Sequence, residues 1–191
     1  ATSSAVRSMG ADHVVVATGS TPARPWWAGA EHTWICDVRD VLDGSASPQG
    51  TVLVLDEIGF HHATSVAELL ADRGCSVEVI TPGMVVGQDL GITLDMENWW
   101  IRAGAKGIVQ STELVPMGVE GHAVQFQHYP TGQMEQREVD WVVLAVPAAP
   151  REDLYAELRD AGVSVQRAGD CVAPRRAHSA VIEGERVGAA L

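Results

Sequence analysis

Asp56, Glu57, His61 and His62 fall within one stretch, Asp56-Glu57-Ile58-Gly59-Phe60-His61-His62-Ala63, directly after the apolar run Thr51-Val52-Leu53-Val54-Leu55. Mixed carboxylate and imidazole donors suit zinc or iron. Adjacent residues rarely point at one ion, however, so the stretch reads as the solvated start of a helix and no metal site is assigned. The same place in a βαβ unit is where a dinucleotide-binding turn stands. Such a turn needs one glycine for tightness, one for close approach of the pyrophosphate and one for helix–strand packing. Here those positions hold Asp56, Ile58 and His61. Two carboxylates suit a helix N-terminus but repel phosphate from the same place. The following strand ends in Ile80-Thr81, without the acid that would bind an adenosine ribose. The outline is that of a nicotinamide-binding fold without its chemistry.

Cys171 and His178 have the types of a nucleophile and its base. Nothing supplies a third partner by spacing, so a structural cysteine is the reading and no catalytic residue is assigned. The pairs Trp26-Trp27 and Trp99-Trp100 read as core or interface. Cys36, Cys75 and Cys171 lie too far apart for a metal spacing or a disulfide framework, which places the chain in a reducing cytoplasm.

The elements that must position these residues follow from periodicity. Ala11 to Pro22 is an apolar run closing in a turn, and Val139 to Pro150 repeats its plan, with Asp, two Val, Ala and the closing Pro at equal spacing. Each reads as a buried strand. Between them lies a βαβ unit: the strand from Thr51, a helix with Ala63, Val66, Ala67 and Leu70 on one face, and the strand Val77–Ile80. A second helix is expected over Ile92 to Ala103, with Ile92, Met96, Trp99, Trp100 and Ala103 on one side. A strand follows at Gly107–Gln110, then a hairpin from Val124–His128 and Gln133–Val139 around Pro130-Thr131-Gly132. Residues 151–191 predict a helix through Leu154 and Leu158, a short strand near Val163 to Ala168, and a last helix whose small residues would let it lie close to a sheet. Neither flank makes a sheet alone, so Val14–Val16 should pair with the strand near Val163.

The expected fold class is α/β. A Rossmann-like domain of residues 46–146, with a parallel sheet and an antiparallel ribbon, is inserted into a partial FAD/NAD(P)-binding-type domain of residues 1–45 and 147–191.

The Ala17-Thr18-Gly19 segment resembles the Ala-Thr-Gly segment of two-dinucleotide-fold flavoproteins, and Ala168-Gly169-Asp170 resembles their C-terminal Gly-Asp segment. More narrowly, Gly169-Asp170-Cys171-Val172-Ala173-Pro174-Arg175-Arg176 through Ala180-Val181-Ile182-Glu183-Gly184 is similar to the C-terminal region of the trimethylamine dehydrogenase, histamine dehydrogenase and 2,4-dienoyl-CoA reductase family. These are old-yellow-enzyme-like oxidoreductases with FMN and a 4Fe-4S cluster in a barrel, followed by a reductase-like region. The resemblance implies that Thr18, Gly19, Gly169, Asp170 and Arg175 face an ADP or FAD, with Asp170 on the flavin ribitol. It also implies that FMN and 4Fe-4S belong to an N-terminal barrel of the same polypeptide. The family's first glycine-rich βαβ unit has no counterpart here, so the chain is expected to be a fragment, inactive by itself. Asp56-Glu57 points to the amine dehydrogenase or demethylase branch, whose electrons pass to a protein acceptor such as an electron-transfer flavoprotein. Two readings stay open beside it: an NAD(P)H-binding reductase module of the dienoyl-CoA reductase kind, and a degenerate assembly domain that forms a homo-oligomer.

The composition agrees with a folded chain of this sort. Hydrophobic residues make up 46% of the 191, and the net charge of −12 argues against nucleic acid or an anionic membrane as partner.

Overall fold

The computed structural model describes residues 1–191. Along the chain stand α1 (Ser3–Ser8), β1 (Val14–Val16), β2 (Ser20–Thr21), β3 (Ile35–Asp37), α2 (Val38–Asp43), β4 (Thr51–Asp56), α3 (His61–Asp72) and β5 (Ser76–Ile80). A 3₁₀ turn (Gln88–Thr93) leads to α4 (Met96–Ala105), β6 (Val109–Ser111), β7 (Leu114–Glu120), β8 (Ala123–His128), β9 (Gln133–Glu138) and β10 (Trp141–Ala145). The chain ends with β11 (Ala149–Pro150), α5 (Asp153–Asp160), β12 (Val165–Arg167), a short 3₁₀ turn (Gly169–Cys171) and α6 (Ala177–Ala189). The fold is mixed α/β, with a parallel sheet and antiparallel strands.

Two compact units form, one of residues 1–23 and 147–191, the other of residues 24–146. In the second unit a parallel sheet runs β3-β10-β4-β5-β6. Side chains alternate across a strand. Val52 and Val54 of β4 therefore enter one core with Ala63, Val66, Leu70 and Trp99 of the helices. Leu53 and Leu55 enter a second core with Leu114, Val124, Phe126 and Trp27. Burial on both faces is why β4 and β10 read as continuous apolar runs. The second core is closed by the antiparallel sheet β7-β8-β9. The sequence suggests only a hairpin there; the third strand, β7, carries an irregularity between Pro116 and Gly118 that blurs its alternation.

Three further expectations need correction. Residues 24–45 cluster with residues 46–146 and not with the flanks, because β3 pairs with β10, Ile35 beside Val142. The Arg24 guanidinium holds that segment to itself, donating to the carbonyls of Ala28, Gly29 and Ile35. The expected helix from Ile92 is interrupted: Leu94 takes φ 58°, ending the 3₁₀ turn, and α4 begins afresh at Met96. As a result Ile92 is exposed, while Trp99 and Ala103 carry the buried face. The last helix starts at Ala177 and buries none of its residues, so its small face does not lie on a sheet.

In the first unit β1 pairs in parallel with β12, Val14 beside Val165 and Val16 beside Arg167, as the unpaired flanks require. Val16, Leu158 and Cys171 form the small core, with Val6, Leu154 and Tyr155 against it. Arg159 and Arg167 both lie over the Tyr155 ring, at 5.8 and 4.7 Å from its centroid. The segments that follow the two repeated strands, β2 and β11, pair antiparallel with Thr21 beside Ala149.

Candidate functional site

In the first unit, β1 and β12 deliver two turns to the same end of their pair. After β1 the chain passes Thr18 and Gly19, where φ is +73°. The Thr18 hydroxyl donates to the Arg151 carbonyl, and the Arg151 amide donates to the Gly19 carbonyl at 3.0 Å. After β12, the Ala168 amide donates to the Val16 carbonyl at 3.1 Å, which brings Gly169 and Asp170 beside the first turn. Ser20 links them: its hydroxyl donates to Asp170 Oδ2 at 3.3 Å. The Gly169 amide donates to Glu183 Oε2 at 2.8 Å, and the Arg175 guanidinium pairs with Glu183 Oε1. These contacts, the Gly169 amide first, hold the Glu183 carboxyl below the usual glutamate range.

The five residues expected from sequence thus gather in one place, joined through Ser20 and Glu183, which the sequence reading missed. Glu183 lies inside the quoted Ala180–Gly184 segment; its reach back to Gly169 is what spacing alone hides. Asp170 is a partly buried acceptor suited to sugar hydroxyls, and α6 begins without a side-chain cap on its first-turn amides. These features fit a nucleotide's ribose and phosphate. Arg175 fits less well, since Glu183 engages it.

The crevice of the second unit lies where β4 meets α3. Asp56 is fully buried at the end of β4. Its Oδ1 accepts from the Gly59 amide at 2.7 Å and its Oδ2 from the Gly87 amide at 2.8 Å. Burial pushes the Asp56 carboxyl above its ordinary range, opposed by those amides. Asp37, at the end of β3, is likewise raised by burial. The space left beside Asp56 is about 240 Å³, lined by Glu57, Gly59, Thr81, Gly83 and Asp89 among others. Three acidic side chains and no cation line it, so an anionic dinucleotide does not fit. A larger cavity of about 450 Å³ lies at the opposite ends of the strands, against Thr51 and Asp140. In open α/β sheets ligands bind at the carboxyl ends of the strands, so that cavity is at the wrong end.

No family-level sequence profile matches the chain. It is 29% identical over 216 aligned positions to an N,N-dimethylglycine/sarcosine dehydrogenase of Chromohalobacter salexigens, covering 92% of this chain and 31% of that protein. Its fold superposes on a 6-hydroxypseudooxynicotine amine oxidase from Pseudomonas geniculata with a TM-score of 0.87 and 26% identity, over 98% of this chain and 30% of the other. The chain belongs to the trimethylamine dehydrogenase, histamine dehydrogenase and 2,4-dienoyl-CoA reductase family. A histamine dehydrogenase of Rhizobium sp. 4-9 shares the fold, with a TM-score of 0.86 at 21% identity over 98% of this chain and 32% of that one. The chain thus spans about a third of the length of each of these relatives. The family is one of oxidoreductases.

In this family member two of the three cysteines, Cys36 and Cys171, are buried. The Cys171 thiol is fully buried and within 3.2 Å of the Val16 and Ala168 carbonyls, whereas His178 is exposed. Burial and the nearby Asp40 and Asp37 push the Cys36 thiol up to about 12, so it stays protonated. No helix is long and apolar enough to cross a membrane.

Proposed function

We propose that this chain is the nucleotide-binding-type region of a flavin-dependent amine dehydrogenase or demethylase. The observation that carries the reading is the superposition of 98% of the chain on an amine oxidase at a TM-score of 0.87, while covering only 30% of it. The aligned relative named for dimethylglycine and sarcosine supports a secondary or tertiary N-methyl amine as substrate class. Asp56 and Ile58 in place of phosphate-binding glycines, with the Glu57 carboxylate between them, favour this branch over a nicotinamide-driven reductase.

In this reading Asp170, oriented by Ser20, accepts from the ribose or ribitol hydroxyls of an ADP or FAD. The first turn of α6 offers its amides to the phosphate, and Thr18 fixes the adjoining turn through the Arg151 carbonyl. Flavin, when bound, supplies the two-electron acceptor for the amine. FMN and a 4Fe-4S cluster are assigned to a barrel region of the same polypeptide, and a protein such as an electron-transfer flavoprotein is the proposed outlet.

The test is turnover by the full-length polypeptide with an artificial acceptor. Sarcosine or dimethylglycine should bleach the flavin and release formaldehyde with no nicotinamide present. Reduction of an enoyl thioester driven by NADPH, without amine oxidation, would overturn the reading. Asp170→Asn should weaken ADP or FAD retention about tenfold, as expected for loss of one charge-assisted hydrogen bond.

A further inference from the structure

A dinucleotide in a doubly wound sheet lays its pyrophosphate on the N-terminus of the helix after the first strand. Here that strand is β4 and the helix is α3, and another part of the chain already lies over the helix start. The loop after β5 crosses α3 at Gly87, where an added Cβ would come within 2.9 Å of Leu90 Cδ1 and 3.0 Å of Thr64 Cγ2. The loop is tied down twice. The Asp89 amide donates to the Gly59 carbonyl at 2.7 Å. The Asp56 carboxyl takes one amide from each side, Gly59 at 2.7 Å and Gly87 at 2.8 Å.

We propose that Asp56 is a latch: its carboxyl stands in for the ligand's anion, binds the amides of both loops and holds the β5 loop closed over the start of α3. The crevice so closed takes no dinucleotide. Asp56 is buried and both its oxygens are used within the chain, so its role is to position Gly87 and the loop that carries it. Breaking the latch should loosen that loop at Gly87 while leaving the sheet intact, since β4 keeps its parallel neighbours β10 and β5.

The inference deepens the reading of the second unit given above, and it is tested separately from amine turnover. Amide hydrogen exchange on the whole chain reads it directly. In the native protein Gly59 and Gly87 should exchange at least about a hundredfold slower than an unstructured peptide. In Asp56→Ala, which removes both acceptor oxygens, Gly87 should exchange about tenfold faster, with Val54 and Val143 unchanged. Unaltered exchange at Gly87 in a folded variant would overturn the latch and leave the amine assignment standing. If the variant does not fold, the native chain still decides the matter. Free-peptide exchange at Gly59 and Gly87, or a micromolar dissociation constant for NADH by calorimetry, overturns the proposal, while protection with no saturable heat up to about 1 mM supports it.

Discussion

The thiol of Cys171 donates to the carbonyl oxygen of Val16 across 3.2 Å, joining residues 155 positions apart in sequence. The same carbonyl accepts the Ala168 amide. One oxygen therefore gathers the end of β1, the end of β12 and the turn that carries Asp170. The candidate nucleotide site of the first unit is built on that junction.

Cys171→Ala should accordingly lower stability by about 1–3 kcal/mol, from a lost thiol contact and a small cavity in a core with few members. Urea unfolding followed by far-UV circular dichroism gives the value. In native buffer Cys171 should resist iodoacetamide, with labelling only after unfolding. Equal labelling rates in both states would contradict the burial.

Trp99 and Trp100 are neighbours with opposite fates. Trp99 is 1% exposed and its indole N–H donates to the Thr64 carbonyl, whereas Trp100 is 42% exposed. Trp99→Ala should cost about 3–5 kcal/mol. Trp100→Ala should change stability by no more than about 0.5 kcal/mol. Paired denaturation curves check the contrast, and comparable losses would show that the register of α4 is wrong.

Gly50 should not tolerate a side chain. Its φ is +74°, and a Cβ there would fall inside contact distance of the Asp140 carboxylate, which accepts the Thr51 amide at 2.7 Å. Gly50→Ala should therefore destabilise by about 1–3 kcal/mol, from backbone strain and displacement of Asp140 at the entry to β4. A thermal shift shows it; a variant as stable as the native chain would argue against this turn geometry.

The Glu183 contacts should weaken in acid. Its carboxyl is held below the usual range when folded, so the folded state binds its proton less readily than the unfolded chain. The stabilisation is then fully present above the unfolded value near 4.3 and is lost as pH falls through the lower folded value. The Gly169 amide resonance should titrate in that acidic window, with its exchange protection falling alongside. Glu183→Gln should remove the titration.

Continuous apolar runs marked β4 and β10 in the sequence because each is buried on both sides, and no tertiary knowledge is needed to see such a run. Ile35–Asp37 gives no such signal. Three residues in a Trp- and Pro-rich stretch become a strand only because β10 offers an unpaired edge, and that pairing moves residues 24–45 into the second unit. Leu94 likewise looks like one more apolar position of a helix; its side chain is exposed and its left-handed backbone closes the turn through the Leu94 amide on the Gly91 carbonyl and the Asp95 amide on the Leu90 carbonyl, which residue type does not announce.

The same division holds at the sites. Thr18, Gly19, Gly169 and Asp170 were pointed to by the resemblance of their short Gly-containing turns to those of the family, since such a segment keeps its pattern in one dimension. Asp56 was legible as an acid where a glycine would serve phosphate. Its partner was not: Gly87 lies 31 residues away, Ser20 lies 150 from Asp170, and Glu183 reaches back 14 to Gly169. Local sequence determines which groups can donate or accept and where the strands begin. Only the tertiary structure decides which of them meet, because hydrogen bonds form over about 3 Å and depend on how loops from different strands are brought together.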